Sequence, residues 1–126
     1  MISVFEPRLS LSDKYSVVKT LYKNQISGTS PIVEKFEKSC AEKFDREHAI
    51  AVSNGSVALD LAFQLIDLSE GDEVIIPSFT IISCLSAIIR AKAVPVFCDV
   101  DENSWNMTLE KVKEKTTDKT KVVLLV

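Results

Sequence analysis

The sequence is short of the residues on which most enzyme chemistry leans. It holds one histidine, three cysteines and three glycines. A Ser-His-Asp set needs a histidine beside its nucleophile. His48 opens an apolar, strand-like run instead, where a structural role is expected. Cys40, Cys84 and Cys98 stand far apart with no C-x-x-C spacing. An odd number so spaced suits free thiols in a reducing cytoplasm, each filling core volume as a small hydrophobe. With so few glycines there is no G-x-G-x-x-G after a strand and no P-loop. A net charge of -3 without any basic cluster gives no reason to expect nucleic acid. No apolar run is long enough to span a membrane, and Met1–Glu6 lacks the basic start and apolar core of a signal peptide. Every lysine reads as part of a solvated helix face, with no apolar setting to depress its pKa.

One metal-like pattern is present. Asp99, Asp101, Asn103 and Glu110 fall at positions one, three, five and twelve of a calcium loop. The glycine required at position six is Ser104, and a strand precedes the pattern instead of a helix. A solvated turn with acidic caps is expected, and no metal site.

The 126 residues, 46% of them hydrophobic, suffice for a compact domain with a real core. Residues 1–9 read as an arm, with Pro7 opposed to a central strand. Leu11, Tyr15, Val18 and Tyr22 share one helix face from Ser10 on. Ser30-Pro31 announces a second helix, with Val33, Phe36, Cys40 and Phe44 as its apolar stripe. From there strand and helix alternate. Strands are expected at Ala49–Val52, Glu73–Pro77, Val94–Cys98 and Thr120–Val126, with Pro95 favouring an edge or an entry position. Helices are expected at Ser56–Leu68 and Thr80–Ala91, almost without charge, and from Thr108 to about Lys115. Such alternation predicts a mostly parallel sheet, buried on both faces, with ligands beyond the carboxyl ends of its strands. The apolar run Val122–Val126 has no polar tail, so the chain reads as the N-terminal piece of something longer.

Three turns are expected at that carboxyl edge: Ser53–Ser56, Pro77–Thr80 and Asp99–Asn103. The first is the richest in donors. A helix N-terminus offers free N–H groups and a partial positive charge. Gly55 lets an anion approach the backbone, and Ser53, Asn54 and Ser56 add side-chain donors. The functional reading is a phosphate cup. The plain alternative is an ordinary N-capped helix, since Ser and Asn are also the best caps.

Several stretches occur in a telling order: Ser27-Gly28, Glu34–Glu37, His48–Ser56, Ala58-Leu59, Gly71–Thr80 and Pro95–Asp101. Together they strongly resemble the N-terminal part of the sugar aminotransferases of the DegT/DnrJ/EryC1/StrS family. The resemblance implies an α/β, three-layer, mostly parallel sheet. It would be a partial large domain of the aspartate aminotransferase-like, fold-type I architecture, with residues 1–30 as arm and helix and residues 31–126 as the incomplete domain. It implies pyridoxal 5'-phosphate (PLP) at a homodimer interface, a nucleotide-linked keto sugar as substrate and an amino donor such as glutamate. Gly55 and Ser56, with Asn54 beside them, match the residues that hold the PLP phosphate. Ile81 stands where members usually carry an aromatic residue on the pyridine ring; it can cover the ring but supplies no stacking. The family's Schiff-base Lys and the Asp on the pyridine nitrogen both fall beyond residue 126, so the chain alone is not expected to transaminate. The alternatives are a relative that dehydrates sugars or lacks the Schiff-base Lys, and a non-catalytic binding or assembly module of the same fold.

Overall fold

The computed structural model describes residues 6–126. Of the arm expected over residues 1–9, residues 1–5 lie outside the described residues, and residues 6–10 carry neither helix nor strand. The chain forms two compact units that divide between Ala51 and Val52.

The first unit contains α1 (Leu11–Tyr22) and α2 (Pro31–Lys43). Helix α1 opens on a capping box. The Ser10 hydroxyl accepts from the Asp13 N–H at 3.1 Å, and the Ser10 N–H donates to the Asp13 carboxylate at 2.8 Å. Helix α2 starts where Ser30-Pro31 places it. The Ser30 hydroxyl, however, is buried without a partner and caps nothing, so the fixed φ of Pro31 is what favours the helical start. The strand expected at Ala49–Val52 does not form. The Ala51 N–H donates to the Glu37 carboxylate at 2.7 Å, and among the described residues no strand runs beside this segment. A strand is a pairing, and apolar sequence alone does not create one.

The second unit is α/β. Its elements in order are α3 (Gly55–Ile66), β1 (Glu73–Pro77), α4 (Ile82–Arg90), β2 (Val94–Cys98), α5 (Leu109–Lys115) and β3 (Thr120–Val123). The sheet order is β2-β1-β3, and both pairings are parallel. Central β1 is the apolar run Val74-Ile75-Ile76, fully buried at all three positions. Pro95 lies opposite Val74 on β2, an edge strand, where a missing N–H is tolerated. Alternation sends Val74 and Ile76 to one face, where they meet Phe63 of α3, Ala87 and Ile88 of α4, and Ala93. Helix α5 lies against β2. Between α3 and β1 the chain turns through Gly71, whose φ of 91° suits glycine, and the turn is closed by Ser69 N–H to the Asp72 carboxylate at 2.8 Å.

The expected burial on both faces holds for β1 but not for the uncharged helices. Leu65 of α3 and Ile82 of α4 are exposed. On their polar rim, Arg90 reaches Asp60 at 2.8–2.9 Å and links α4 to α3. That half-exposed pair contributes at most about 1 kcal/mol. All three cysteines are free; Cys84 and Cys98 are buried as expected, and Cys40 is half-buried. Burial pushes the Cys98 thiol up, against the opposing pull of Lys111 and Lys115. No helix among the described residues is long and apolar enough to cross a membrane.

The packing has a direct consequence. Ile76→Ala removes a fully buried side chain and should lower unfolding free energy by about 2–5 kcal/mol. Leu65→Ala, at a side chain 87% exposed, should stay within about 0.5 kcal/mol. Urea denaturation of both variants checks this, and equal losses at the two positions would contradict the one-sided packing of α3.

Candidate functional site

Because β1 and β2 are parallel and Pro77 pairs with Cys98, the loops after both strands leave from one edge. They are joined there. The Ser78 N–H donates to the Cys98 carbonyl at 2.8 Å, and the Ser78 hydroxyl donates to the Asp99 carboxylate at 3.3 Å. Further out, the rings of Phe79 and Trp105 lie 5.0 Å apart at 60°. An aromatic pair so tilted adds about 0.5–1.5 kcal/mol beyond its area.

The N-terminus of α3 reaches the same group of loops. Asn54 is its N-cap, accepting from the Val57 N–H at 3.1 Å through its side chain and from the Ala58 N–H at 3.2 Å through its carbonyl. The N–H groups of Gly55 and Ser56 meet no acceptor among the described residues. The Ser56 hydroxyl donates to that of Ser83 at 2.9 Å, and Ser83 lies in the first turn of α4. Two helix N-termini therefore meet at a pair of hydroxyls. Helices α1, α2 and α5 each carry an acidic residue in the first turn, namely Asp13, Glu34 and Glu110; α3 and α4 carry none. A first-turn carboxylate would complement the helix dipole, and its absence at these two leaves the positive ends for another anion.

Gly55 is exposed, and a Cβ added to it would meet nothing within 4 Å. Its φ is not in the left-handed region, so the fold itself does not demand glycine there. A side chain at this position would stand in open space. This donor set fits a phosphate group: two N–H groups, two hydroxyls, no acid in the first turn of either helix and open space beside Gly55. Ile81 is the N-cap of α4 and is 64% exposed, with no side-chain cap bond.

The structure thus brings Gly55 and Ser56 together with Ser83, which sequence reasoning missed. The signal available was the paired lack of first-turn acid in two helices bearing serines. His48 belongs to the first unit, exposed, with its Nε2 3.4 Å from Glu47, and it opens no strand. Its expected structural role finds no packing to support it. Lys111 departs from the solvated lysine face: it is half-buried and donates to the Val100 carbonyl at 2.7 Å.

The acidic turn after β2 is organised around its own backbone. Asp101 accepts from the N–H groups of Ser104 at 2.8 Å and Asn103 at 3.1 Å. Among the described residues no three His, Cys, Asp or Glu side chains are arranged to hold a metal ion. The Ser104 N–H above all, then the Ser104 hydroxyl and the Asn103 N–H, hold the Asp101 carboxyl below its usual range.

Comparison with known proteins gives these features a context. The sequence profile of the DegT/DnrJ/EryC1/StrS aminotransferase family matches residues 10–126. The chain is 39% identical to the GDP-perosamine synthase of Escherichia coli O157:H7, over 99% of this chain and 34% of that protein. It superposes on the X-ray structure of the aminotransferase from Psychrobacter cryohalolentis with a TM-score of 0.83 and 38% identity, covering 94% of this chain and 30% of the other. It also superposes on E. coli GDP-4-keto-6-deoxy-D-mannose-3-dehydratase with bound hydrated PLP, with a TM-score of 0.79 and 26% identity, over 89% of this chain and 30% of that one. The chain spans about a third of the length of the relatives it matches. The parallel sheet and its helices are part of the fold-type I architecture of the PLP-dependent aminotransferases.

The Asp101 turn yields a pH prediction. A carboxyl depressed in the folded chain stabilises the turn above its unfolded pKa of about 3.9, and that contribution is lost as pH falls through the lower folded value. Emission from Trp105, four residues on, should therefore change in acid, with far-UV circular dichroism monitoring global unfolding. Asp101→Asn keeps an acceptor and removes the titration, so this step should disappear; identical titrations would refute the link.

Proposed function

The chain belongs to the DegT/DnrJ/EryC1/StrS aminotransferase family, and from that membership we propose that it forms the cofactor-phosphate end of a PLP-dependent aminotransferase acting on nucleotide-linked keto sugars. One observation carries the proposal: the unpaired N–H groups of Gly55 and Ser56, beside the Ser56–Ser83 hydroxyl pair, at two helix N-termini without first-turn acids. In this reading those N–H groups and hydroxyls hold the cofactor phosphate. Asn54 holds the turn by capping α3, and Ile81 covers one face of the ring. When bound, the cofactor supplies an electron sink for bond changes at the carbon bearing the amino group. This chain's own residues bind and orient. The Ser56 and Ser83 hydroxyls, which share a hydrogen bond, would each have a proton to donate to that phosphate.

Residues 31–126 would then be the incomplete large domain, preceded by an arm and helix over residues 1–30. The amino donor is a small amino acid such as glutamate, and the working form is a homodimer with the cofactor at its interface. The exposed apolar side chains Phe79, Ile81 and Ile82 at the carboxyl edge support such a contact. Three free thiols support a reducing, cytoplasmic setting. A second reading, a sugar dehydratase using the same cofactor, is favoured by the superposition on the E. coli dehydratase.

Gly55→Ala separates the cup from a mere helix cap. The added methyl meets nothing in the fold, so thermal stability should hold or rise slightly. If the phosphate sits against the Gly55 backbone, the same methyl crowds it, and PLP affinity should fall by about tenfold or more, equivalent to ~1.4 kcal/mol. Ser56→Ala should weaken PLP by roughly ten- to a hundredfold, and Ser56→Asp further through charge repulsion. PLP titration and thermal melting of the three variants check this. Unchanged affinity in both Gly55→Ala and Ser56→Asp would leave only a helix cap.

A further inference from the structure

Trp105 is the chain's single tryptophan, and its backbone is left-handed, with φ 59°. That conformation is disfavoured for a bulky side chain and easy for asparagine. Asn103 and Asn106 flank the position, yet neither takes it. The turn that imposes it is over-determined. The Trp105 N–H donates to the Asp101 carbonyl and the Asp101 N–H to the Asn106 carbonyl, each at 2.9 Å. The Asn106 side chain closes on the Ser104 carbonyl at 2.8 Å. Strain of this kind, held by surrounding bonds, points to a task for the side chain. What the indole meets is Phe79, with ring centroids 5.0 Å apart, and both rings are otherwise largely exposed. Phe79 lies in the segment between β1 and α4 that carries Ile81. Helix α4 starts without the side-chain cap bond that α1, α3 and α5 possess.

We infer that Trp105 is a positioning residue, a brace across the sheet edge that fixes residues 79–82 by clasping Phe79. It takes the place of the missing cap of α4 and sets the direction of Ile81 and the first turn bearing Ser83. Its relevance to a cofactor rests on the reading under Proposed function; the brace itself does not.

Hydrogen exchange on the full chain tests it. Two reporters flank the segment: the Ser78 N–H on the Cys98 carbonyl and the Cys84 N–H on the Ile81 carbonyl. A third, the Leu124 N–H on the Ile75 carbonyl at 2.9 Å, serves as control in the sheet. Trp105→Ala should speed exchange at Ser78 and Cys84 by about tenfold and leave Leu124 unchanged, whereas Trp105→Phe should restore protection. Trp105→Gly removes the backbone strain as well. It should melt no lower than Trp105→Ala, yet still lose protection at Ser78 and Cys84. Unchanged exchange in Trp105→Ala and Trp105→Gly, or an equal rise at Leu124, would overturn the brace. Titrating PLP into the parent chain while following Trp105 emission reads the cofactor separately. Local protection that depends on Trp105, without any response to PLP, would support the brace and sink the cofactor reading.

Discussion

Strand β1 is hydrogen-bonded on both edges, and both neighbours run parallel to it. Parallel pairing is the constraint from which the site follows. It forces each connection to cross back over the sheet, and it sends β1 and β2 out of the sheet at the same edge. The register of Pro77 with Cys98 fixes that edge to within a residue. Loss of the buried Val74-Ile75-Ile76 run would therefore disperse the loops as well as the core.

At that edge two helix starts lack an acid in their first turn. Helices α3 and α4 bring their positive ends to the Ser56–Ser83 contact, and neither has a carboxylate in its first turn. Each end carries the equivalent of roughly half a positive charge, and exposed N–H groups there are natural partners for an anion. Helices α1, α2 and α5 each have an acid in the first turn, and α3 and α4 do not. The loops after β1 and β2 are tied to each other by Ser78 and by the Phe79–Trp105 pair.

Much of this was legible in the sequence, for local reasons. Ser10, Asn54 and Thr108 mark helix starts because capping depends on a residue and its next few neighbours, and Pro31 marks one through its fixed φ. Pro95 read correctly as an edge residue for the same reason. What was not legible depended on partners distant in sequence. Ala49–Val52 has strand composition but no strand beside it among the described residues, and its Ala51 N–H turns to Glu37. Lys111 looked solvated on its helix face until the fold laid that face against the Val100 carbonyl. The left-handed Trp105 had no sequence cue, since asparagines on either side were better candidates. Ser83 came to Ser56 only when α4 packed against α3.

Amide chemical shifts test the central claim most directly. Pyridoxal and PLP share the ring and differ by the phosphate. If the N–H groups of Gly55 and Ser56 form a phosphate cup, titration of the isotope-labelled chain with PLP should move those two resonances and that of Ser83. Equal concentrations of pyridoxal should leave them in place. Shifts of the same size with both compounds, or none with PLP at concentrations where other resonances respond, would contradict the account.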